Sequence, residues 1–137
     1  ERVLDAIGPA SVRVSTFSTS EEFLRRLARL RGAGRVIRCS LFCDLRAARK
    51  TAALYGFIRS VFSEVRLCEN HSKVVLLSND ARRVAVVTSQ NQTRGDRFEA
   101  GIITSDPAVY AALDAGFDLL AANSLSLDDL VDRPGNH

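Results

Sequence analysis

The chain has 137 residues, of which 46% are hydrophobic and 26% are charged. This length supports one hydrophobic core, and the even mixing of charged and apolar residues excludes a disordered or fibrous protein. The formal net charge of +3 is compatible with a polyanionic partner but does not require one.

The cysteines and the apolar runs bear on the compartment. The three cysteines are odd in number and lack C-x-x-C spacing, which favours reduced thiols and a cytoplasmic protein. No histidine or acidic cluster completes a metal site around them, so we predict neither a metal nor a cofactor. No apolar run approaches the roughly 20 residues of a membrane helix, so we expect no membrane span. The chain has no methionine, so we expect that it begins inside its gene product or has been processed.

The first half of the chain alternates strand and helix patterns. Residues 11–18 alternate apolar and small polar side chains, which predicts a strand. Ser20 can cap the helix that follows, and residues 35–42 predict a second strand. Asp44 can cap a second helix, which we expect to extend to about residue 63.

The second half begins with strands and ends with a helix. Four segments are typical of strands, namely 65–68, 72–78, 83–89 and 98–104. Asn79-Asp80 predicts a tight antiparallel turn between the middle two. Asp106 and Pro107 predict the start of a helix of about sixteen residues. We therefore expect an α/β fold, a mixed β-sheet sandwiched between helices, in one domain over residues 1–125 with a polar tail over 126–137.

Polar side chains occur where the two middle strands begin and end. Alternate side chains of a strand share a face, so His71 and Lys73 project to one side, as do Ser89 and Asn91. If the two segments form a hairpin, these four side chains meet. Lysine, serine and asparagine can hold a phosphate, and histidine can attack it or carry a proton.

Glu99 lies in the next strand-like segment, between Phe98 and Ala100. A carboxylate in such apolar surroundings needs a partner. The N–H of an imidazole is a suitable one, because accepting from one ring nitrogen fixes the tautomer and leaves the other nitrogen free to attack.

The stretch H-S-K, an apolar strand, T-S-Q-N and a downstream glutamate together resemble the H-x-K-x4-D-x6-G-S-x2-N signature of the phospholipase D superfamily. The resemblance covers roughly residues 12–122. Ser78 stands where that signature has aspartate, and Thr88 stands where it has the first glycine.

This resemblance implies metal-independent phosphodiester hydrolysis through a phosphohistidine, without a cofactor. The family's active site needs two copies of the motif and this chain has one, so the resemblance implies either a homodimer with one His71 from each subunit or a missing second repeat, and we favour the homodimer. Lys73 and Asn91 would hold the non-bridging phosphate oxygens. Single-motif members of this kind are mostly phosphodiesterases and nucleases.

Further cations indicate an anionic substrate, with DNA or RNA the expected partner. Arg46, Arg49 and Lys50 lie in the first turns of the predicted second helix, where positive charge opposes the macrodipole, although an ordinary solvated helix face explains them equally well. Arg94 and Arg97 lie in the loop that follows Asn91. Two alternatives stay open: a catalytically weak nucleic-acid-binding module of the same fold, and a phospholipase.

Overall fold

The computed structural model describes residues 2–17, 21–47, 53–70, 72–88 and 101–126. Within these residues the chain forms one seven-stranded mixed β-sheet flanked by four α-helices. The α/β class and the mixed sheet expected from the sequence are therefore confirmed.

The elements follow one another in the order expected from the alternating pattern, with two short additions. The helices are α1 (Arg2–Ile7), α2 (Glu21–Gly32), α3 (Tyr55–Val61) and α4 (Pro107–Ala122). The strands are β1 (Ala10–Ser15), β2 (Val36–Asp44), β3 (Glu64–Cys68), β4 (Val74–Ser78), β5 (Arg83–Thr88), β6 (Gly101–Thr104) and β7 (Leu125–Ser126). The sequence pattern did not predict α1 and β7, which have only 6 and 2 residues.

The sheet has the strand order β6-β5-β4-β1-β2-β3-β7. The β1–β2 and β2–β3 pairs are parallel, and the other pairs are antiparallel. The predicted turn at Asn79 is confirmed, since its backbone N–H donates to the carbonyl oxygen of Arg82 at 3.0 Å. The turn sets the β4–β5 register, in which Val74 lies opposite Val87 and Ser78 opposite Arg83.

Two clusters of buried apolar side chains pack on the sheet. Consecutive residues of β2 and β4 divide between them: Phe42 and Leu76 belong to one cluster, Cys43 and Leu77 to the other. Because neighbouring side chains of a strand point to opposite faces, the clusters lie on opposite faces of the sheet. Helices α2 and α3 contribute to the cluster that contains Cys43 and Leu77, and α4 contributes to the cluster that contains Phe42 and Leu76.

The prediction that Asp44 caps a long helix is wrong for residues 45–47, which are not α-helical. Asp44 is the last residue of β2, and a single 3₁₀ turn, Leu45–Ala47, follows it. The buried Asp44 carboxylate accepts the backbone N–H of Arg46 at 2.8 Å, which holds the chain in a tight turn. Residues 48–52 lie outside the described residues, Ala53 is helical, and α3 spans Tyr55–Val61.

The three cysteines, Cys39, Cys43 and Cys68, are free and buried, as expected. Burial raises the pKa of the Cys39 thiol to about 12. Across the described ranges, no helix combines the length and the apolar composition that crossing a bilayer would require.

Candidate functional site

One end of the sheet brings together the strand ends that border the predicted site. Ser15, the last residue of β1, lies opposite Val74, the first residue of β4, and Val74 lies opposite Val87 on β5. Beyond this row the backbone N–H of Thr88 donates to the carbonyl oxygen of Lys73 at 3.0 Å. The segment that enters β4 and the segment that leaves β5 are therefore direct neighbours.

Asn70 is the centre of a buried hydrogen-bond network at this end. Its side chain is 4% exposed, and its Nδ2 donates to Ser15 Oγ at 2.8 Å and to the Phe42 carbonyl oxygen at 3.1 Å. Its Oδ1 accepts the backbone N–H of Ser72 at 3.0 Å, and the hydroxyl of Ser72 also contacts that of Ser15. The network ties residues 70 and 72 to the end of β1.

Asp44 connects this network to the exposed side chain of Arg46. Its side chain is 1% exposed, and Oδ2 accepts the backbone N–H of Asn70 at 2.9 Å. The guanidinium of Arg46 donates to the same carboxylate, at 2.9 Å from Nε and 3.2 Å from Nη2, while the Arg46 side chain is 61% exposed. The guanidinium also lies over the Phe17 ring, 5.4 Å from its centroid. Arg46 is thus held in a fixed position at the surface beside the Asn70 segment.

Arg46 stabilises the charged form of Asp44. Hydrogen bonds from the Arg46 side chain hold the pKa of the Asp44 carboxyl well below its usual range. Burial opposes that shift, and the N–H of Asn70 adds to it. Burial, followed by the charge of Asp44, raises the pKa of the Cys68 thiol. Asp44 is therefore an anion at neutral pH and Cys68 a neutral thiol.

Comparison with models of known protein families gives no match, and comparison with curated protein sequences gives none either. Among solved structures, the chain is similar to polyphosphate kinase from Porphyromonas gingivalis, a phospholipase D-superfamily enzyme, with a TM-score of 0.56 and 11% sequence identity. The fold is phospholipase D-like. The match covers 92% of this chain and 22% of the kinase chain, and at this identity the likeness concerns the fold alone.

Lys73 is the one predicted catalytic residue that the structure describes. Lys73 is half-buried and its backbone pairs with Thr88 at the sheet end described above. The other predicted catalytic residues, His71, Ser89, Asn91 and Glu99, lie outside the described residues. The structure describes both neighbours of position 71, and it describes Thr88, which precedes position 89.

The structure describes one of the five predicted substrate-binding cations, Arg46. Arg46 lies at the same sheet end as Lys73, but in a 3₁₀ turn and ion-paired with Asp44, so the argument from a helix macrodipole does not apply to it. The remaining four, Arg49, Lys50, Arg94 and Arg97, lie outside the described residues. Ser78, which replaces the signature's aspartate, is at the other end of β4 from Val74.

The sequence analysis missed the polar hydrogen-bond network of the site. It treated Asp44 as a helix cap and gave no role to Asn70, Ser15 or Ser72. The one usable signal was an aspartate that directly follows the apolar end of β2, where burial demands a partner. Across the described ranges, no group of three histidine, cysteine or acidic side chains is placed to hold a metal ion.

Proposed function

We propose that this chain is a phosphoryl-transfer enzyme with His71 as its reacting group, and that it acts as a metal-independent phosphodiesterase, specifically a nuclease. The observation that carries the proposal is the hydrogen bond from the Thr88 N–H to the Lys73 carbonyl oxygen, at 3.0 Å, within a phospholipase D-like fold. It joins the two halves of the sequence motif, which lie 15 residues apart at these positions.

The register supports convergence of the polar side chains. His71 and Lys73 lead into β4, while Ser89 and Asn91 follow β5 directly, and the two strands pair from Val74 and Val87 onward. An imidazole, an ammonium, a hydroxyl and a carboxamide would then share one phosphate-sized site. Their charge is positive, which suits an anionic substrate.

The Asn70 network supports a fixed position for His71. Asn70 and Ser72, on either side of it, are hydrogen-bonded to each other and to Ser15. Two anchored neighbours limit the backbone freedom of the residue between them, which lowers the entropic cost of reaching a reactive geometry.

In the proposed reaction a neutral His71 ring nitrogen attacks phosphorus, so a P–N bond forms and the P–O bond to the leaving alcohol breaks. His71 of the partner subunit donates a proton to the leaving oxygen and then takes one from the water that hydrolyses the phosphohistidine. Lys73 and Asn91 stabilise the extra charge on the non-bridging oxygens, and Glu99 fixes the imidazole tautomer.

Arg46 supports a nucleic-acid substrate. Its guanidinium is mostly exposed, yet Asp44 and Phe17 hold it in place, and Asp44 also accepts the N–H of Asn70. A cation positioned so close to the His71 segment can contact a phosphate that flanks the scissile one. We assign the same role to Arg49, Lys50, Arg94 and Arg97.

The test compares three proteins on plasmid DNA and on single-stranded DNA and RNA oligonucleotides in excess EDTA. The chain has two histidines, so His137→Ala is a matched control for His71→Ala. We expect the wild-type protein and His137→Ala to cleave at least one of these substrates with EDTA present. His71→Ala should lose activity by about 10⁴-fold or more. Lys73→Ala should lose about 10²-fold.

A second measurement addresses the covalent step. Quenching a reaction with end-labelled oligonucleotide in alkali should trap a labelled protein adduct that acid removes, and His71→Ala should form none. Cleavage that needs a divalent cation, or that persists in His71→Ala, contradicts the proposal. Binding of oligonucleotide without cleavage by any of the proteins indicates a binding module, and release of headgroup from phospholipid vesicles alone indicates a phospholipase.

A further inference from the structure

A groove of about 460 Å³ lies at the opposite end of the sheet from Lys73. Its floor consists of the side chains at the beginning of β1 and β2 and at the end of β4, and α4 forms one wall through Tyr110 and Asp114. A second groove of about 620 Å³ shares Arg83, Tyr110 and Asp114 with it and extends toward Arg82. Volumes of this size are typical of small-ligand sites.

The strand register places four polar residues in one row across this floor. Ser11 on β1 lies opposite Arg38 on β2 and, on its other side, opposite Ser78 on β4. Ser78 in turn lies opposite Arg83 on β5. Two serine hydroxyls are thus flanked by two arginines whose Cα atoms are about 14 Å apart, three strand spacings. We call this row and the space above it the arginine groove.

Charge in the arginine groove is unbalanced. Arg38 and Arg83 are exposed, and neither has an ion-pair partner within the described part of the chain. The two carboxylates that line the groove are already engaged: Asp114 with Arg13 at 2.7 Å, and Glu64 with Arg66 at 3.1 Å. The groove therefore carries two uncompensated guanidinium groups.

The wall of the groove is held in place. The Arg13 guanidinium bonds Asp114 and Asp118 of α4 and lies over the Phe117 ring, 5.0 Å from its centroid. This contact joins β1 to α4, so the distance between floor and wall does not depend on a ligand. A preformed site loses less entropy on binding than one that must be ordered.

We propose that the arginine groove binds phosphate groups, and that it does so separately from the His71 site. Guanidinium groups match phosphate oxygens with paired N–H donors, and the serine hydroxyls between them donate to the remaining oxygens. The spacing of the arginines fits a ligand with more than one phosphate, either a nucleotide or a nucleic-acid strand. Ser11 and Ser15 lie four residues apart on β1, so the two sites lie about 13 Å apart along the strand.

The test measures binding of two probes by wild-type protein and two charge-matched double variants. Inorganic pyrophosphate is titrated by calorimetry, and a fluorescein-labelled oligothymidylate by anisotropy at several salt concentrations, with EDTA present in both. Arg38→Gln/Arg83→Gln, the groove variant, removes the two arginines of the row. Arg26→Gln/Arg29→Gln removes two exposed arginines of α2, which do not line the groove, and changes the net charge equally.

We expect the groove variant to bind at least one probe about tenfold or more weakly, and the α2 variant to stay within about twofold of wild type. Weakened oligothymidylate binding should come with a salt slope smaller by about 1 to 1.5, which identifies a strand as the ligand. Loss confined to pyrophosphate identifies a small ligand with linked phosphate groups rather than a strand. A third variant, Ser78→Asp, places a carboxylate in the middle of the row and should weaken the same probe.

Three results overturn the proposal: equal losses in both double variants, wild-type affinity in the groove variant, or no binding of either probe by wild-type protein. Unchanged thermal unfolding midpoints of the double variants exclude a folding defect, since all four arginines are exposed. Repeating the titrations with His71→Ala separates the two sites. Binding that the groove variant loses and His71→Ala keeps belongs to the arginine groove, whether or not the protein cleaves a substrate.

Discussion

At the scale of single residues, Asn70 links the candidate site to the core. It satisfies the Ser15 hydroxyl, a backbone carbonyl of β2 and the amide of Ser72 at once, in a position that is 4% exposed. Replacing it removes partners from several groups that water cannot fully reach. A buried polar group without a partner costs about 1–3 kcal/mol.

We therefore expect Asn70→Ala to lower the free energy of unfolding by about 2–3 kcal/mol, measured by urea denaturation. Asn123→Ala is the matched control, because Asn123 is exposed and its side chain donates to the carbonyl oxygen of Leu119 at the helix end. It should change stability by less than about 0.5 kcal/mol. Equal small effects of both substitutions would show that the network around position 70 contributes little to stability.

Asp44 gives the fold a stability component that depends on pH. Its folded pKa lies below the ordinary aspartate value, chiefly because Arg46 donates to the carboxylate, so the component is fully present above about pH 4. It decreases as the pH falls below 4 toward the folded pKa, because the unfolded chain then takes up the proton more readily than the folded one.

Asp44→Asn should lack this component. We expect the difference in unfolding free energy between wild type and Asp44→Asn, measured in urea at a series of pH values, to be constant near neutrality. It should shrink as the pH falls below about 4. A difference that stays the same down to pH 2 or grows on acidification would mean that the Arg46 contact does not stabilise the folded anion.

At the scale of elements, the side chain of Asp106 caps the N-terminus of α4. Asp106 accepts the backbone N–H groups of Ala108 at 2.8 Å and Val109 at 3.2 Å, and Pro107 follows at the first helical position. Asp106→Ala should cost about 1 kcal/mol in urea denaturation, whereas Asp106→Ser, which keeps an acceptor, should recover most of the loss. Failure of serine to recover it would assign the effect to the charge of Asp106 rather than to its hydrogen bonds.

The same elements explain how far sequence reasoning reaches. The β4–β5 hairpin and the start of α4 could be predicted because Asn79 and Pro107 are local signals. The end of β2 could not, because Asp44 is held by contacts with Asn70, 26 positions away. The short strand β7 is defined by its pairing with β3, a distant segment of the chain. Local patterns identify elements, and contacts between distant residues set their boundaries.

The candidate site likewise combines residues that are close in sequence with residues that are distant in sequence. The spacing of His71 and Lys73 and of Ser89 and Asn91 predicts that two motif halves meet, since one hairpin separates them. Asn70 and Ser15 are 55 positions apart, and the arginine groove takes its row from four strands. No periodicity in the sequence specifies such neighbours. They become visible only with the strand order and register.

At the scale of the whole molecule, the single H-x-K motif sets the expected stoichiometry. The proposed reaction needs one imidazole to attack phosphorus and another to protonate the leaving oxygen, and the chain has only His71 and the terminal His137. An active assembly should therefore contain two chains, with a mass twice the 15.0 kDa of one chain by sedimentation equilibrium. Specific activity should fall on dilution below the dissociation constant of the dimer.

Mixing provides the sharper measurement. When wild-type protein is unfolded and refolded together with His71→Ala, each mixed dimer holds one reactive imidazole, so activity should fall as the square of the wild-type fraction. Refolding with His137→Ala should leave activity proportional to total protein, because both proteins then supply His71. A strictly linear dependence on the wild-type fraction in the first mixture would mean that each chain carries a complete site. The second proton carrier would then have to come from the same chain.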